Sequence, residues 1–415
     1  MLLAMASVNP DPAELLDGVR VLDLTQYLAG PTCTRMLVEL GAEVWKVEFP
    51  PAGDPTRATP PTVKDMSSAF IQHNRGKRSL CLDLRHEQAP DLIRRLARTV
   101  DVVVENFTPG VLAKRGLGYG DLAAINPRLI MASVSGFGQD NSYSHRNCFD
   151  FIAQAMAGVM HMTGEPDGPP YFAGIGAGDV TAGVHAFAGI GFALYQRDRT
   201  GVGTHIDVSM VDALFHMQEH AVGAASMSHG DYVPNRQGRH YPPVAPAGTF
   251  KSPQGWMVIV ALDNQIDGLW AAMSDPSLAD DPRFVTSADR VANRDVLTEL
   301  IETWMSSFDD DDQVLAVLEQ HRVPAGPVLN PAAAIDHPWF KETGAVRKVS
   351  DSHGSQFMIP GFPIRYDGHK PNADLQPAGL GEHTNEILAE AGLTDPEIAS
   401  LVADGAIQLR SEADQ

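Results

Sequence analysis

The sequence predicts an α/β protein: a doubly wound layer built on a mainly parallel sheet, followed by a smaller α+β domain. Three observations carry this. Five short apolar runs alternate with amphipathic stretches through the first 140 residues or so. Long Ala/Gly/Met-rich helical stretches then take over. Residues 228–247, dense in Pro, Gly and charge, mark a linker between two domains. Strands separated by helices of this length imply right-handed βαβ crossovers, and such a sheet binds ligands at the carboxyl ends of its strands.

The elements follow in order. Val19–Thr25 reads as a buried strand, and the stretch from Pro31 to Leu40 as a helix opened by Pro and closed by Gly41. Glu43–Glu48 and Arg78–Leu84 are the next strands. Glu87–Thr99 shows helical spacing in Leu92, Ile93, Leu96 and Ala97. Asp101–Asn106 and Leu129–Phe137 complete five strand candidates, and His205–Met210 is a later one. Asp150–Met162 and Asp179–Arg197 read as apolar helices whose small residues permit close packing in a core or between subunits. Beyond the linker, Gly248–Leu262 reads as a β-hairpin, with helical patterns from Gln265 and from Asn293 to about Glu319. The expected division is residues 1–227, 228–330 and 331–415.

Composition narrows the class. The chain has 415 residues, long enough for two or three domains, and its 44% hydrophobic content excludes disorder. A net charge of −21 argues against nucleic acid or an anionic membrane as partner, since phosphates repel such a surface. No uncharged apolar run reaches the ~18 residues of a membrane span. The start, MLLAMASVNPDP, lacks the basic region of a secretory signal. Cys33, Cys81 and Cys148 are odd in number and show no CxxC spacing, so neither a disulfide framework nor a zinc site is indicated. These features read as a soluble, cytoplasmic protein with no metal.

Common site motifs are absent: there is no GxGxxG after the first strand, no P-loop, no GxSxG and no HExxH. Asp309–Asp312 reads as a solvated helix start, because four adjacent aspartates cannot converge on one ion. The most suggestive segment is Ile175–Gly183, IGAGDVTAG: Gly174, just before it, Gly176 and Gly178 lead into Asp179, and an apolar helix follows. One reading makes Asp179 a helix N-cap, contributing about 1 kcal/mol. The other makes it a carboxylate exposed to close approach by a ligand, able to act as a covalent nucleophile. Spacing alone leaves both open.

A set of ordered matches bears on the choice. GVRVLDLTQYLAGPTCTRMLVELGAEVWKVE, NRGKRSLCLDL, VVENFTPGVL, FDFIAQAMAGVMHMTG, GDVTAG, YQRDRTGVGTHIDVSMVDAL, VPAGPV and GLGEHT resemble the class III CoA-transferase family, from about Leu15 to Leu393. The resemblance implies an interlocked homodimer of ring-like chains. Each chain has a Rossmann-like large domain, built from both termini, and a small domain between them. It also implies CoA transfer between carboxylic acids, with coenzyme A or acyl-CoA as substrate and no tightly bound cofactor. Asp179, in the GD-x-x-x-G position, is then the nucleophile, forming an aspartyl anhydride and an aspartyl-CoA thioester. The backbone N–H groups of the glycine-rich helix start would supply oxyanion donors.

By the same resemblance Tyr27, Leu28 and Ala29 meet the pantetheine, and Asn106 and Phe107 line the CoA groove. Lys114 faces phosphate, and Arg75 and Lys77 lie at the adenine or phosphate end. Ordinary solvated charge is the other reading of Lys77 and Arg78. Departures from the family pattern point to the acid pocket. Racemases carry a histidine at Phe149, and phenylalanine cannot abstract a proton. Formyl-CoA transferases carry a glutamine at Leu28 and a tyrosine at Phe137. A pocket with Leu28, Phe137 and Phe149 suits an acid larger and less polar than oxalate. Arg236, Arg239 and His240 either hold a second polar group or form charged linker surface. Racemisation or isomerisation of an acyl-CoA, and non-catalytic CoA binding, are the alternatives.

Overall fold

The computed structural model describes residues 14–63, 66–350, 354–368, 370–371 and 375–410. The chain divides into two compact units. The first holds the described residues up to Val159, then Phe172–Val222 and the described residues from Pro338 onward; the second holds Met160–Tyr171 and Gly223–His337.

The first unit is built on a seven-stranded sheet. Six strands are parallel: β1 (Arg20–Leu24), β2 (Glu43–Glu48), β3 (Arg78–Leu82), β4 (Val102–Glu105), β5 (Ile130–Ser135) and β6 (His205–Ser209). A short β7 (Ile407–Gln408) pairs antiparallel with β3 at one edge. The order is β7-β3-β2-β1-β4-β5-β6, so the winding reverses between β1 and β4. That is the doubly wound arrangement, and its reversal opens a crevice beyond the carboxyl ends of β1 and β4. β4 and β5 are buried throughout, as their unbroken apolar runs require in a sheet covered on both faces.

Four helices position the site: α1 (Ala29–Glu39), α2 (Asp150–Met156), α3 (Ala177–Thr200) and α4 (Met210–His216). Gly41 ends α1 at φ 98°, where its N–H donates to Val38 O and that of Ala42 to Leu37 O, a Schellman closure that only a residue at ease with positive φ accepts cheaply. The predicted helix over Asp150–Met162 is broken at Gly158, φ 86°, and resumes as a single turn at Val159–Met162. α3 is long and apolar enough to cross a bilayer, yet Ala182, Ala186, Ile190 and Ala193 pack it into the core beside the sheet.

Close crossing of α1 and α3 explains the last glycine of GDVTAG. A Cβ on Gly183 would lie 2.5 Å from Ala29 O and 2.7 Å from Thr32 Cβ, with backbone on one side and a buried side chain on the other. Gly183→Ala must therefore push the two helices apart. We expect a loss of about 1–3 kcal/mol, read as a lower urea midpoint at unchanged m-value.

In the second unit, strands Ala247–Ser252 and Gly255–Val260 form the predicted hairpin, and Ala325–Pro327 adds antiparallel to the latter. Its core gathers Phe250, Met257, Trp270, Phe284, Ile301 and Leu318. The acidic run starts a helix, Asp311–Gln320, whose N-cap Asp310 accepts from the Gln313 N–H at 2.9 Å.

Candidate active site

A cavity of about 900 Å³ lies at the β1/β4 reversal, lined by the loops after β1, β4 and β5, the start of α2 and the start of α3. Two backbone features shape its floor. Tyr27, directly after β1, sits at φ 61°, a left-handed conformation that costs a non-glycine residue roughly 1–2 kcal/mol. Strain of this kind persists where the surroundings hold it. Here Asn106 does so: its Oδ1 accepts from the Gln26 N–H at 2.8 Å and its Nδ2 donates to Gln26 O at 2.7 Å. The two loops of the crevice are thereby clamped together. Tyr27 then meets Phe149 edge to face, ring centroids 6.2 Å apart.

Asp179 lines this cavity, along with Gly174, Ile175 and Gly176. It is not an N-cap. Gly176 holds that position and Asp179 is the third residue of α3. The cap is supplied by another helix: Asp150 Oδ1, at the start of α2, accepts from the N–H of Gly178 at 2.6 Å and of Asp179 at 3.3 Å. Burial, and after it the neighbouring charge of Asp150, push the Asp179 carboxyl up to about 7. Of the N–H groups expected as oxyanion donors at the start of α3, those of Gly178 and Asp179 are taken up by Asp150.

Of the residues singled out from sequence, Tyr27, Leu28, Ala29, Asn106, Phe107, Phe149 and Asp179 all line the cavity. Others do not. Arg75 and Lys77 were expected against adenine or phosphate but are fully buried, Arg75 in an ion pair with Glu39 and Lys77 at 2.9 Å from Asp23. A cation so enclosed cannot meet a ligand phosphate, and neither Lys77 nor its carboxylate partner is solvated charge. Arg78 is mostly covered and pairs with Glu43, Glu386 and Glu390. Lys114 is exposed, seven residues past Phe107, outside the cavity wall. Phe137 packs its ring on Tyr143, centroids 5.9 Å apart, instead of reaching the wall.

Arg236, Arg239 and His240 belong to the second unit. Arg236 donates to His161 O at 3.2 Å, Arg239 pairs with Glu302 at 2.6 Å, and His240 packs against Phe250. Cys148 lines the cavity, but burial pushes its thiol up to about 11, so it stays protonated at neutral pH. Sequence reasoning passed over Asp150, Gln154 and Arg146. Arg146 is the one cationic side chain among the described lining residues, laid 4.1 Å over the Tyr143 ring.

The site thus sets a half-buried carboxyl of raised basicity in a crevice beyond a parallel sheet, approached by glycines. Residues 16–384 match CoA-transferase family III, and the chain belongs to this family of enzymes. It is 40% identical to the acetyl-CoA:oxalate CoA-transferase of Acetobacter aceti, over 89% of this chain and 95% of that one. It is also 40% identical to the succinyl-CoA:mesaconate CoA-transferase of Haloarcula hispanica, covering 91% and 96%. A CAIB/BAIF family protein from Brucella suis superposes with a TM-score of 0.81 at 38% identity, over 91% of this chain and 99% of that one.

Proposed function

We propose that the protein moves CoA from an acyl-CoA thioester to a free carboxylic acid, with Asp179 as covalent nucleophile. The placement of Asp179 at the wall of the β1/β4 cavity carries this reading. The ionised carboxylate attacks the thioester carbonyl and expels CoA thiolate, leaving an aspartyl–acyl anhydride. The thiolate attacks the aspartyl carbonyl of that anhydride, giving aspartyl-CoA thioester and the donor acid. The acceptor carboxylate then attacks the aspartyl thioester, forming a new anhydride and freeing thiolate again. Thiolate attack at the acceptor's carbonyl releases the new acyl-CoA and restores Asp179. Anhydride and thioester are both high-energy acyl species, so no step needs an outside energy source.

Chain features support each part. A carboxyl held near neutrality is more basic than an ordinary aspartate yet substantially ionised at pH 7, which suits a nucleophile. The first turn of α1 starts at the cavity wall with Leu28 as N-cap and no side-chain acceptor. Pro31 has no N–H and that of Thr32 donates to Leu28 O, which leaves the N–H groups of Ala29 and Gly30 as oxyanion donors. Tyr27, Leu28, Ala29, Asn106 and Phe107 form the surface for the pantetheine arm, and exposed Lys114 a contact for phosphate. The wall around Asp179 is largely apolar, with Leu28, Phe149, Phe151, Phe172 and Ile175. That favours an acceptor with a larger carbon skeleton than oxalate.

The working form in this reading is a homodimer, since α3 leaves Phe192 and Tyr195 76% and 62% exposed on the single chain. Light scattering should return a mass near twice 44.7 kDa; a single-chain mass would remove the dimer. Incubating acyl-CoA donors with a panel of oxalate, mesaconate, glutarate and monocarboxylates, and reading new thioesters by mass spectrometry, tests the transfer itself. Hydrolysis alone would sink it, and α-deuterium uptake from heavy water without any acceptor would favour a racemase.

A further inference from the structure

Asp179 sits at the end of a chain of contacts that begins on α2. Asp150 is 8% exposed and its two carboxylate oxygens serve different partners. Oδ1 accepts from the N–H of Gly178 and Asp179. Oδ2 accepts from Gln154 Nε2 at 2.6 Å, one helical turn along. Gln154, fully buried, also donates to Ile175 O at 3.0 Å, and its Oε1 accepts from the Ala173 N–H at 2.9 Å. Two side chains thus take up the backbone of the glycine-bearing segment before α3 and of the first turn of α3 itself. A Cβ on Gly178 would stand 3.1 Å from Asp150 Oδ1 and 3.2 Å from Ala153 Cβ, so this turn and α2 are already in tight contact.

We propose that Asp150 and Gln154 are positioning residues for the transfer reaction: their carboxylate–amide brace fixes the first turn of α3 and sets a second carboxylate against Asp179. This rests on Asp179 being the nucleophile. The brace does two jobs with one carboxylate. It orients the Asp179 backbone through hydrogen bonds, and it places a second negative charge beside a carboxylate that must give up its own charge on attacking a thioester. Relief of that repulsion in the attack favours the transition state over the resting enzyme.

The titratable and charged groups facing the site are Tyr27 after β1, Arg146 and Cys148 before α2, Asp150 on α2 and Asp179 on α3. Glu105 at the end of β4 is also pushed up, to about 7, by burial, but it lies outside the cavity wall. A rate profile limited by Asp179 and one limited by Glu105 would therefore look alike in the wild type. Asp150→Asn separates them, because only Asp179 shares a contact with Asp150.

The experiment is the pH dependence of kcat for wild type, Asp150→Asn and Gln154→Ala, each first checked for a cooperative thermal transition. For Asp150→Asn we expect the acid limb to move down while staying above the ordinary aspartate range, because burial, the larger cause, remains. At pH 8 its kcat should fall roughly 10–100-fold with KM for acyl-CoA within about threefold. Gln154→Ala, which keeps the Asp150 charge, should lower kcat while leaving the limb in place. Glu105→Gln should leave the limb in place as well. An Asp150→Asn enzyme that folds and keeps the wild-type limb overturns the proposal, as does a loss confined to KM. The parent reading fails separately: Asp179→Asn that still transfers CoA removes the nucleophile whatever Asp150→Asn does.

Discussion

Asp179→Asn should lose transfer activity by about 10⁴-fold or more while becoming harder to unfold at pH 8. The first effect follows from deleting the carboxylate that carries the acyl group covalently in the proposed cycle. The second follows from linkage. The folded-state carboxyl titrates near 7, well above the unfolded value of 3.8, because burial and then Asp150 disfavour its charge. Folding must therefore bear an unfavourable ionised group at any pH above 7. That penalty shrinks as pH falls from 7 toward 3.8 and vanishes below it. Replacing the carboxylate by its neutral isostere should raise stability by about 2–4 kcal/mol at pH 8 and by almost nothing at pH 4. Chemical denaturation of both proteins at the two pH values reads this directly. Equal stability at pH 8 would mean that the site does not strain the charge. Asp179→Ala should be equally inactive, which guards against slow deamidation of the asparagine.

Lys77→Met should cost stability rather than chemistry. Lys77 and Asp23 are both buried, with Asn74 Oδ1 at 2.9 Å from the ammonium and Thr34 Oγ1 donating to the carboxylate at 2.7 Å. Burial alone would raise the Asp23 carboxyl, but the ammonium groups of Lys77 and Lys46 outweigh it and hold Asp23 well below the usual range. Its contribution to stability is present above the unfolded value of 3.8 and is lost as pH falls through and below it. Removing one partner of such a pair leaves a buried charge with fewer counter-ions, at a cost of about 3–5 kcal/mol. Lys77→Met should therefore unfold at much lower urea, and the loss should narrow on acidification as Asp23 protonates. Lys77→Met combined with Asp23→Asn should recover part of it. If Lys77→Met were as stable as wild type but had a raised KM for acyl-CoA, Lys77 would belong to the ligand site after all.

The contrast between these two aspartates shows what the sequence can and cannot reveal. The strands were legible because a sheet covered on both faces demands unbroken apolar runs such as VVVE and IMASVS, and no other local structure of that length competes. Gly41 was legible because a helix stop needs positive φ. The fate of a cation was not. NRGKRS reads as three basic residues in a loop, and nothing local says that Glu39 and Asp23, 36 and 54 positions away, take Arg75 and Lys77 inside. Phe137 failed for a similar reason, since its ring turns to Tyr143 within the same loop.

Asp179 was visible as a carboxylate among glycines, and its placement in the cavity wall agrees with that. The alternative reading of Asp179 as the N-cap misses by three residues, because Gly176 holds that position and the capping acceptor is lent by another helix. Asp150 and Gln154 drew no attention: an i, i+4 polar pair at a helix start looks like solvated surface until the segment 173–179 is seen folded over it.

The most direct test of the covalent reading is to mix the enzyme with acyl-CoA and hydroxylamine, without acceptor, and to sequence the peptide spanning Asp179 by mass spectrometry. Hydroxylamine attacks only an activated carboxyl carbon on the protein, so the account predicts a hydroxamate on Asp179, formed only when acyl-CoA is present, together with loss of activity. Blocking the thiols should leave that labelling largely intact, because Cys148 is held protonated and Cys33 and Cys81 are buried. An enzyme that turns over acyl-CoA in hydroxylamine with Asp179 unmodified, or that loses its activity on Cys148→Ala, would contradict it.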